Sequence, residues 1–203
     1  MKKSLVGILF LVFGLFLVSA FADDIKYDMN FTKETSCEIR KVKIYENPVW
    51  ASKIDFTNGK SVFFSSPKSM FEFYYNIQRW EAFDAKELAD FKNILVTDYN
   101  TLKIIDARKS FFVYGSHNIS PAGDDLVAFD SKEEATNYMD YLKTQFVRFL
   151  ILQIAMTQQL SKASFAFVPC QDFTRKWTDK QLFEKYDLSS EEVNYIQGMI
   201  KAV

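Results

Sequence analysis

Histidine is almost absent from this chain: His117 is the single one in 203 residues. Catalysis through paired histidines is therefore excluded, and one imidazole alone makes no metal site. Cysteine is scarce too, and Cys37 and Cys170 stand too far apart to form a Cys-x-x-Cys element. That rules out a four-cysteine zinc ribbon and a thioredoxin-type redox site, and leaves room for one disulfide. Only 6 glycines and 4 prolines are present, little material for long loops. Charge is balanced, Lys+Arg 25 against Asp+Glu 26, which argues against a disordered chain or a polybasic nucleic-acid arm. What the chain does have is aromatic mass. Its 21 Phe and 10 Tyr, in a composition 48% hydrophobic, suit a compact core.

Lys2 and Lys3 precede an uncharged, mostly apolar run from Ser4 to Ala22, which ends in Ala20-Phe21-Ala22 ahead of Asp23-Asp24. This is the three-part pattern of a secretory signal peptide, with small residues where a peptidase reads. The alternative is an uncleaved anchor, since the run is near the lower limit for spanning a bilayer. No cysteine follows the cleavage site, so a lipoprotein is not expected. The pattern is of bacterial type and predicts a periplasmic protein, in a compartment where a bridge between Cys37 and Cys170 would persist. The expected organisation is a signal peptide at 1–22, a domain at 23–150 and a helical C-terminal extension at 151–203.

Within the domain a strand, strand, helix order occurs twice. Val49 to Phe56 and Ser61 to Phe64 flank Asn58-Gly59, a strong short hairpin signal whose type I′ turn needs positive φ at both central residues. Ser66 and Pro67 then open a helix to about Ile77. Lys109 to Gly115, a loop from Ser116 to Gly123, and Asp125 to Phe129 form the second pair of strands, and Ser131-Lys132-Glu133-Glu134 reads as a capping box that opens a helix to about Lys143. A shift of 65 lays Phe64 on Phe129, Ser66 on Ser131 and Phe73 on Tyr138. Between the units, Ile94 to Thr97 and Leu102 to Ile105 predict a further hairpin.

Beyond Lys143 the pattern is less directive. Phe146 to Phe149 reads as a strand before a helix from Leu150 to Leu160, or the stretch is one continuous helix. Ser164 to Val168 alternates like a strand. Trp177-Thr178-Asp179 and Ser189-Ser190-Glu191-Glu192 open two helices, an αα-hairpin expected to dock through Leu182, Phe183, Val193 and Ile196.

Two blocks resemble the NosL family of nitrous oxide reductase accessory proteins. Pro48-Val49-Trp50 with Ile54, Asn58-Gly59-Lys60 and Phe64-Ser65-Ser66-Pro67 is similar to that family's Pro-x-Trp-x-x-x-Ile, Asp/Asn-Gly-Lys and phenylalanine-rich segment. Val113-Tyr114-Gly115-Ser116, Ser120-Pro121-Ala122-Gly123 through Leu126-Val127-Ala128-Phe129, and Ser131-Lys132-Glu133-Glu134-Ala135 are similar to its Val-x-Gly-Ser, Gly-Pro-Met-Gly-x-x-Leu-Val-x-Phe and Ser-x-Glu-x-Ala. The likeness covers about residues 37 to 150. It implies an α+β fold of two ββα units, here followed by the helical hairpin, and an exported carrier of cuprous ion for the reductase's copper sites. The likeness of this fold to organomercurial lyase is an analogy only.

The departures bear on the metal. The family's Cys-x-x-Cys-Gly-Met falls on Cys37-Glu38-Ile39-Arg40-Lys41-Val42, and its Pro-Met-Gly on Pro121-Ala122-Gly123. Cuprous ion selects thiolates and thioethers, so Cys37 needs further soft donors. Met29, Met70, Met139 and His117 are the candidates; the methionines on the helices also suit core packing, and His117 a solvated loop. A Cys37–Cys170 disulfide is the competing use of the thiol. Asp28-Met29-Asn30-Phe31-Thr32 adds a candidate N-glycosylation acceptor at Asn30. Two functions result. One is a non-enzymatic periplasmic accessory protein for nitrous oxide reductase, carrying copper or touching the reductase or its delivery machinery. The other is a metal-free binding module on the same scaffold, stabilised by the disulfide. A hydrolase or lyase lacks a nucleophile and base set.

Overall fold

The computed structural model describes residues 28–116, 118–124, 126–154 and 167–202. The expected signal peptide and His117 lie outside the described residues.

β1 (Ser52–Phe56) and β2 (Ser61–Phe64) pair antiparallel from Ser52↔Phe64 to Asp55↔Ser61. Their turn differs from the type I′ expectation. Of Asn58 and Gly59 only Gly59 has positive φ, at 85, and the Phe56 N–H donates to the Lys60 carbonyl at 2.9 Å across three residues. A single left-handed glycine is what a three-residue loop with a bulge requires. Val49 and Trp50, expected as the start of β1, belong instead to a 3₁₀ turn, Pro48–Trp50, which Pro48 opens with its fixed φ. α1 (Pro67–Tyr74) starts as predicted, with Ser66 Oγ accepting from the Ser69 N–H, and ends before Ile77–Arg79, a separate 3₁₀ turn.

β3 (Phe91–Thr97) pairs with the other side of β1, and β4 (Ile104–Asp106) pairs with β3, giving an antiparallel sheet of order β2-β1-β3-β4. The second unit is smaller. β5 (Phe111–Val113) pairs with β8 (Val127–Phe129), and the intervening loop contains a minimal hairpin of β6 (Ile119–Ser120) and β7 (Gly123–Asp124). α2 (Lys132–Lys143) follows. Ser131 caps it through the Glu134 N–H, but the capping box is only half made, because the Glu134 carboxylate accepts instead from Asn100 Nδ2 at 3.1 Å.

The 65-residue repeat has a geometric counterpart. The Phe64 and Phe73 ring centroids lie 5.2 Å apart, and those of Phe129 and Tyr138, their equivalents, 5.3 Å apart. Each pair joins the last residue of a strand to the second turn of the helix after it, all four buried. Aromatic pairs at this distance add to the burial of their area.

Thr144 separates α2 from α3 (Gln145–Ile154), so Phe146 to Phe149 is helical and not a strand. Phe167 and Val168 lie outside any strand, and the rest of the strand expected from Ser164 falls outside the described residues. α4 (Asp179–Lys185) and α5 (Ser190–Met199) form the C-terminal hairpin, both with complete capping boxes. None of the described helices is long and apolar enough to cross a membrane.

Two apolar clusters result. The first surrounds the four-stranded sheet and α1, with Ile54, Phe56, Phe64, Met70 and Phe73 at its centre. The second joins β8, α2 and α3 to Phe173, Trp177, Leu182, Phe183 and Ile196 of the C-terminal segment. Asp98, fully buried after β3, links the units: Oδ1 accepts from the Asn100 and Thr101 N–H groups at 3.0 and 2.6 Å, and Oδ2 from the Asp130 N–H at 2.7 Å.

Candidate functional site

Cys37 opens a tight loop. Its N–H donates to the Val42 carbonyl at 2.8 Å, and its carbonyl accepts from the Lys41 N–H at 2.9 Å. Lys41 has φ 57, a conformation that glycine adopts without steric cost, and glycine is the residue of the Cys-x-x-Cys-Gly-Met pattern at this position. The Arg40 N–H points at the Cys37 sulfur, 3.3 Å away. Arg40 stands where the pattern has its second cysteine, and its guanidinium is bound to Glu72 of α1 at 2.8 Å. With five donors and no acceptor, it offers nothing to a metal.

The other motif turn approaches the same helix. Pro121 and Ala122 link β6 to β7, the Ala122 N–H donates to Ser120 Oγ at 2.8 Å, and Gly123 has φ 88. A β-carbon on Gly123 would lie 4.0 Å from Lys68 Nζ. Lys68 and Glu72 are four residues apart on α1 and so share a face. The Cys37 loop and the Pro121-Ala122-Gly123 turn therefore flank one face of α1, although more than eighty positions separate them in sequence.

The predicted donors divide. Cys37, Met29 and Met70 are all buried, at 1%, 3% and 0% exposure, and belong to the first apolar cluster. Met70 lies two residues from both Lys68 and Glu72, so it projects from the opposite side of α1, into the core. Met139 is exposed on α2 and is not part of this group. Among the described residues, no group of three or more His, Cys, Asp or Glu could hold a metal ion. Any soft-metal chemistry here falls to the one thiol and the two thioethers.

The expected Cys37–Cys170 disulfide is not formed; both cysteines are free thiols. Cys37 is enclosed in the first cluster, whereas Cys170 is exposed at a cavity beside the second, where its thiol faces the Gln171 carbonyl at 3.8 Å. Partial burial at that cavity pushes the Cys170 thiol up.

Sequence reasoning missed this cavity of about 90 Å³, lined by Tyr99, Asn118, Tyr138, Tyr141 and Cys170 among others. Asn118 Nδ2 donates to the Tyr138 hydroxyl at 2.5 Å, and the Tyr141 hydroxyl donates to the Pro169 carbonyl at 2.5 Å. Burial pushes all three phenols above the usual tyrosine range, with neighbouring ionisable groups adding to it. The i,i+3 spacing of Tyr138 and Tyr141 was the available signal. Nothing local marks Tyr99 or Cys170 as their neighbours.

Residues 28–157 match the family model named NosL. No similar protein is found among those with curated functions. Among solved structures, the copper chaperone NosL from Shewanella denitrificans is 20% identical in sequence, with 56% of this chain and 86% of that chain covered at a TM-score of 0.47. With the family match spanning more than half of its length, the chain belongs to the NosL family.

Proposed function

We propose that the chain is an exported, non-enzymatic accessory protein of copper-centre assembly, acting in the periplasm on nitrous oxide reductase or its copper-delivery machinery. Family membership supports the accessory role, and the bacterial-type leader supports export. The observation that carries the copper reading is the state of Cys37: a free thiol with a backbone N–H directed at its sulfur, in one apolar cluster with Met29. A thiolate and a thioether are donor types that cuprous ion prefers.

A second reading is favoured by a different observation. Arg40, held by Glu72 at 2.8 Å, and the methyl of Ala122 occupy two positions where the family pattern has soft donors. On this reading the protein is a binding module that recognises an exported partner without carrying metal. Native mass spectrometry of the mature chain, with cuprous ion and reductant, separates the two. Copper carriage requires one bound ion that is lost in Cys37→Ser and bound more tightly in Ala122→Met. Unchanged affinity in both variants refutes the assignment, and a wild-type chain that binds no copper leaves the recognition module.

A further inference from the structure

The acceptor pattern Asn-x-Ser/Thr occurs at Asn30-Phe31-Thr32 and at Asn118-Ile119-Ser120. The structure treats the two in opposite ways. Asn118 is partly buried, and its side-chain nitrogen is committed to the Tyr138 hydroxyl at 2.5 Å inside the tyrosine cavity. Ser120 is buried, and the residue two positions before Asn118 is Ser116, uncharged and buried. To reach that asparagine an enzyme would have to draw it away from the Tyr138 hydroxyl.

Asn30 is exposed, and its carboxamide makes no hydrogen bond among the described residues. Its own N–H donates to the Asp28 carboxylate at 2.9 Å, and its φ is 48. Asparagine tolerates this left-handed conformation better than most residues do. Met29 is 3% exposed and Phe31 packs against the first cluster, so the flanking side chains turn inward while the asparagine between them turns out. Thr32 is exposed as well, in a turn closed by Thr35: its N–H donates to Thr35 Oγ1 at 2.9 Å, its carbonyl accepts from the Thr35 N–H at 3.1 Å, and its hydroxyl accepts from the Glu34 N–H at 3.2 Å.

We propose that Asn30 is a site of N-linked glycan attachment, selected by the acidic Asp28 two residues before it and the Thr32 hydroxyl two residues after it. The co-substrate is a lipid-pyrophosphate-linked oligosaccharide. The Asn30 side-chain nitrogen forms a bond to the sugar C1 and releases one proton, the C1–O bond breaks, and the lipid pyrophosphate leaves; no electron transfer is involved. The assignment rests on the export reading above, since the reaction takes place on the far side of the membrane.

The test is to produce the full chain in a bacterium whose periplasm holds such a lipid-linked oligosaccharide and a transferase selective for an acidic residue two before the asparagine, then to record intact mass and glycopeptides. The expected product lacks residues 1–22 and carries one glycan, on Asn30. The glycan is lost in Asn30→Gln, Asp28→Ala and Thr32→Ala, retained in Thr32→Ser, and unchanged in Asn118→Gln. A trimmed chain without glycan, or one modified at Asn118, overturns the assignment while leaving export standing. A chain that retains the leader and has no glycan overturns the export reading, and this one with it.

Discussion

Cys37 lies inside the first core at 1% exposure, while Cys170 opens onto solvent. Under native conditions a thiol reagent should label Cys170 and spare Cys37 until the chain unfolds, with peptide mass mapping to assign the sites. The label on Cys170 should form slowly near neutral pH and faster as pH rises, because burial raises that thiol and the thiolate is the nucleophile. No labelling before reduction would reinstate the disulfide. Asp98 ties the two units together. Its carboxylate accepts hydrogen bonds from the backbone of Asn100, Thr101 and Asp130 and from the Thr101 hydroxyl. Asp98→Ala leaves those part-buried donors without their acceptor, and unfolding in urea should show a loss of about 3 kcal/mol. A loss under about 1 kcal/mol would mean that water replaces the carboxylate.

β1 is one of the two inner strands of its sheet, paired along both edges, and it still carries two charges. Lys53 Nζ meets Asp55 Oδ1 at 2.9 Å, with Lys53 only 8% exposed and lying over the Phe63 ring at 5.4 Å. The two residues are i,i+2 on a strand and so face the same way. Burial alone would raise the Asp55 carboxyl, but hydrogen bonds from Ser61, Lys53 and Asn93, with the charge of Lys53, outweigh it and hold the group below the usual aspartate value. The folded state therefore keeps this carboxylate ionised at a pH where the unfolded chain has begun to protonate it. Its stabilisation is complete above the ordinary aspartate value of 3.8 and is lost as pH falls through the lower folded value. Asp55→Asn should cost about 2 kcal/mol at neutral pH by leaving Lys53 unpaired. The variant should also lose less further stability on acidification than the wild type, in denaturant titrations from roughly pH 6 to 2. Parallel acid profiles would contradict the assignment.

The C-terminal segment completes the second core of the molecule. The Phe173 ring lies 5.0 Å from that of Tyr138 and 6.4 Å from that of Phe129, and its peptide is held from both sides: Asn137 Nδ2 donates to its carbonyl at 3.0 Å, and its N–H donates to Asn100 Oδ1 at 3.1 Å. Gln145 Nε2 donates to the Ile200 carbonyl, and Phe146 stacks on Tyr186 at 4.9 Å. Phe173, Trp177, Leu182, Phe183 and Ile196 are each buried. At about 2 kcal/mol apiece, their removal amounts to roughly 10 kcal/mol, comparable with the whole stability of a domain this size. A chain ended after Ile154 should therefore lose cooperative unfolding in calorimetry and expose Phe129, Tyr138 and Phe146. A sharp transition in the shortened chain would show that the family region folds by itself.

Local chemistry is what the amino-acid sequence determined. Ser66, Thr178 and Ser189 cap their helices as read, the hairpins fall between the strands assigned to them, and the family motifs lie on the turns they mark. Each of these depends on residues a few positions apart, which the sequence lists side by side. Pairings across the chain were decided only by the tertiary structure. Two free cysteines far apart read as a bridge, until the fold enclosed one in the first core and left the other beside the tyrosines of the second. Glu134 reads as half of a capping box, until Asn100 reached it from thirty-four positions away. Which side chain takes a given partner depends on which surfaces the two cores bring together, and sequence spacing does not encode that distance.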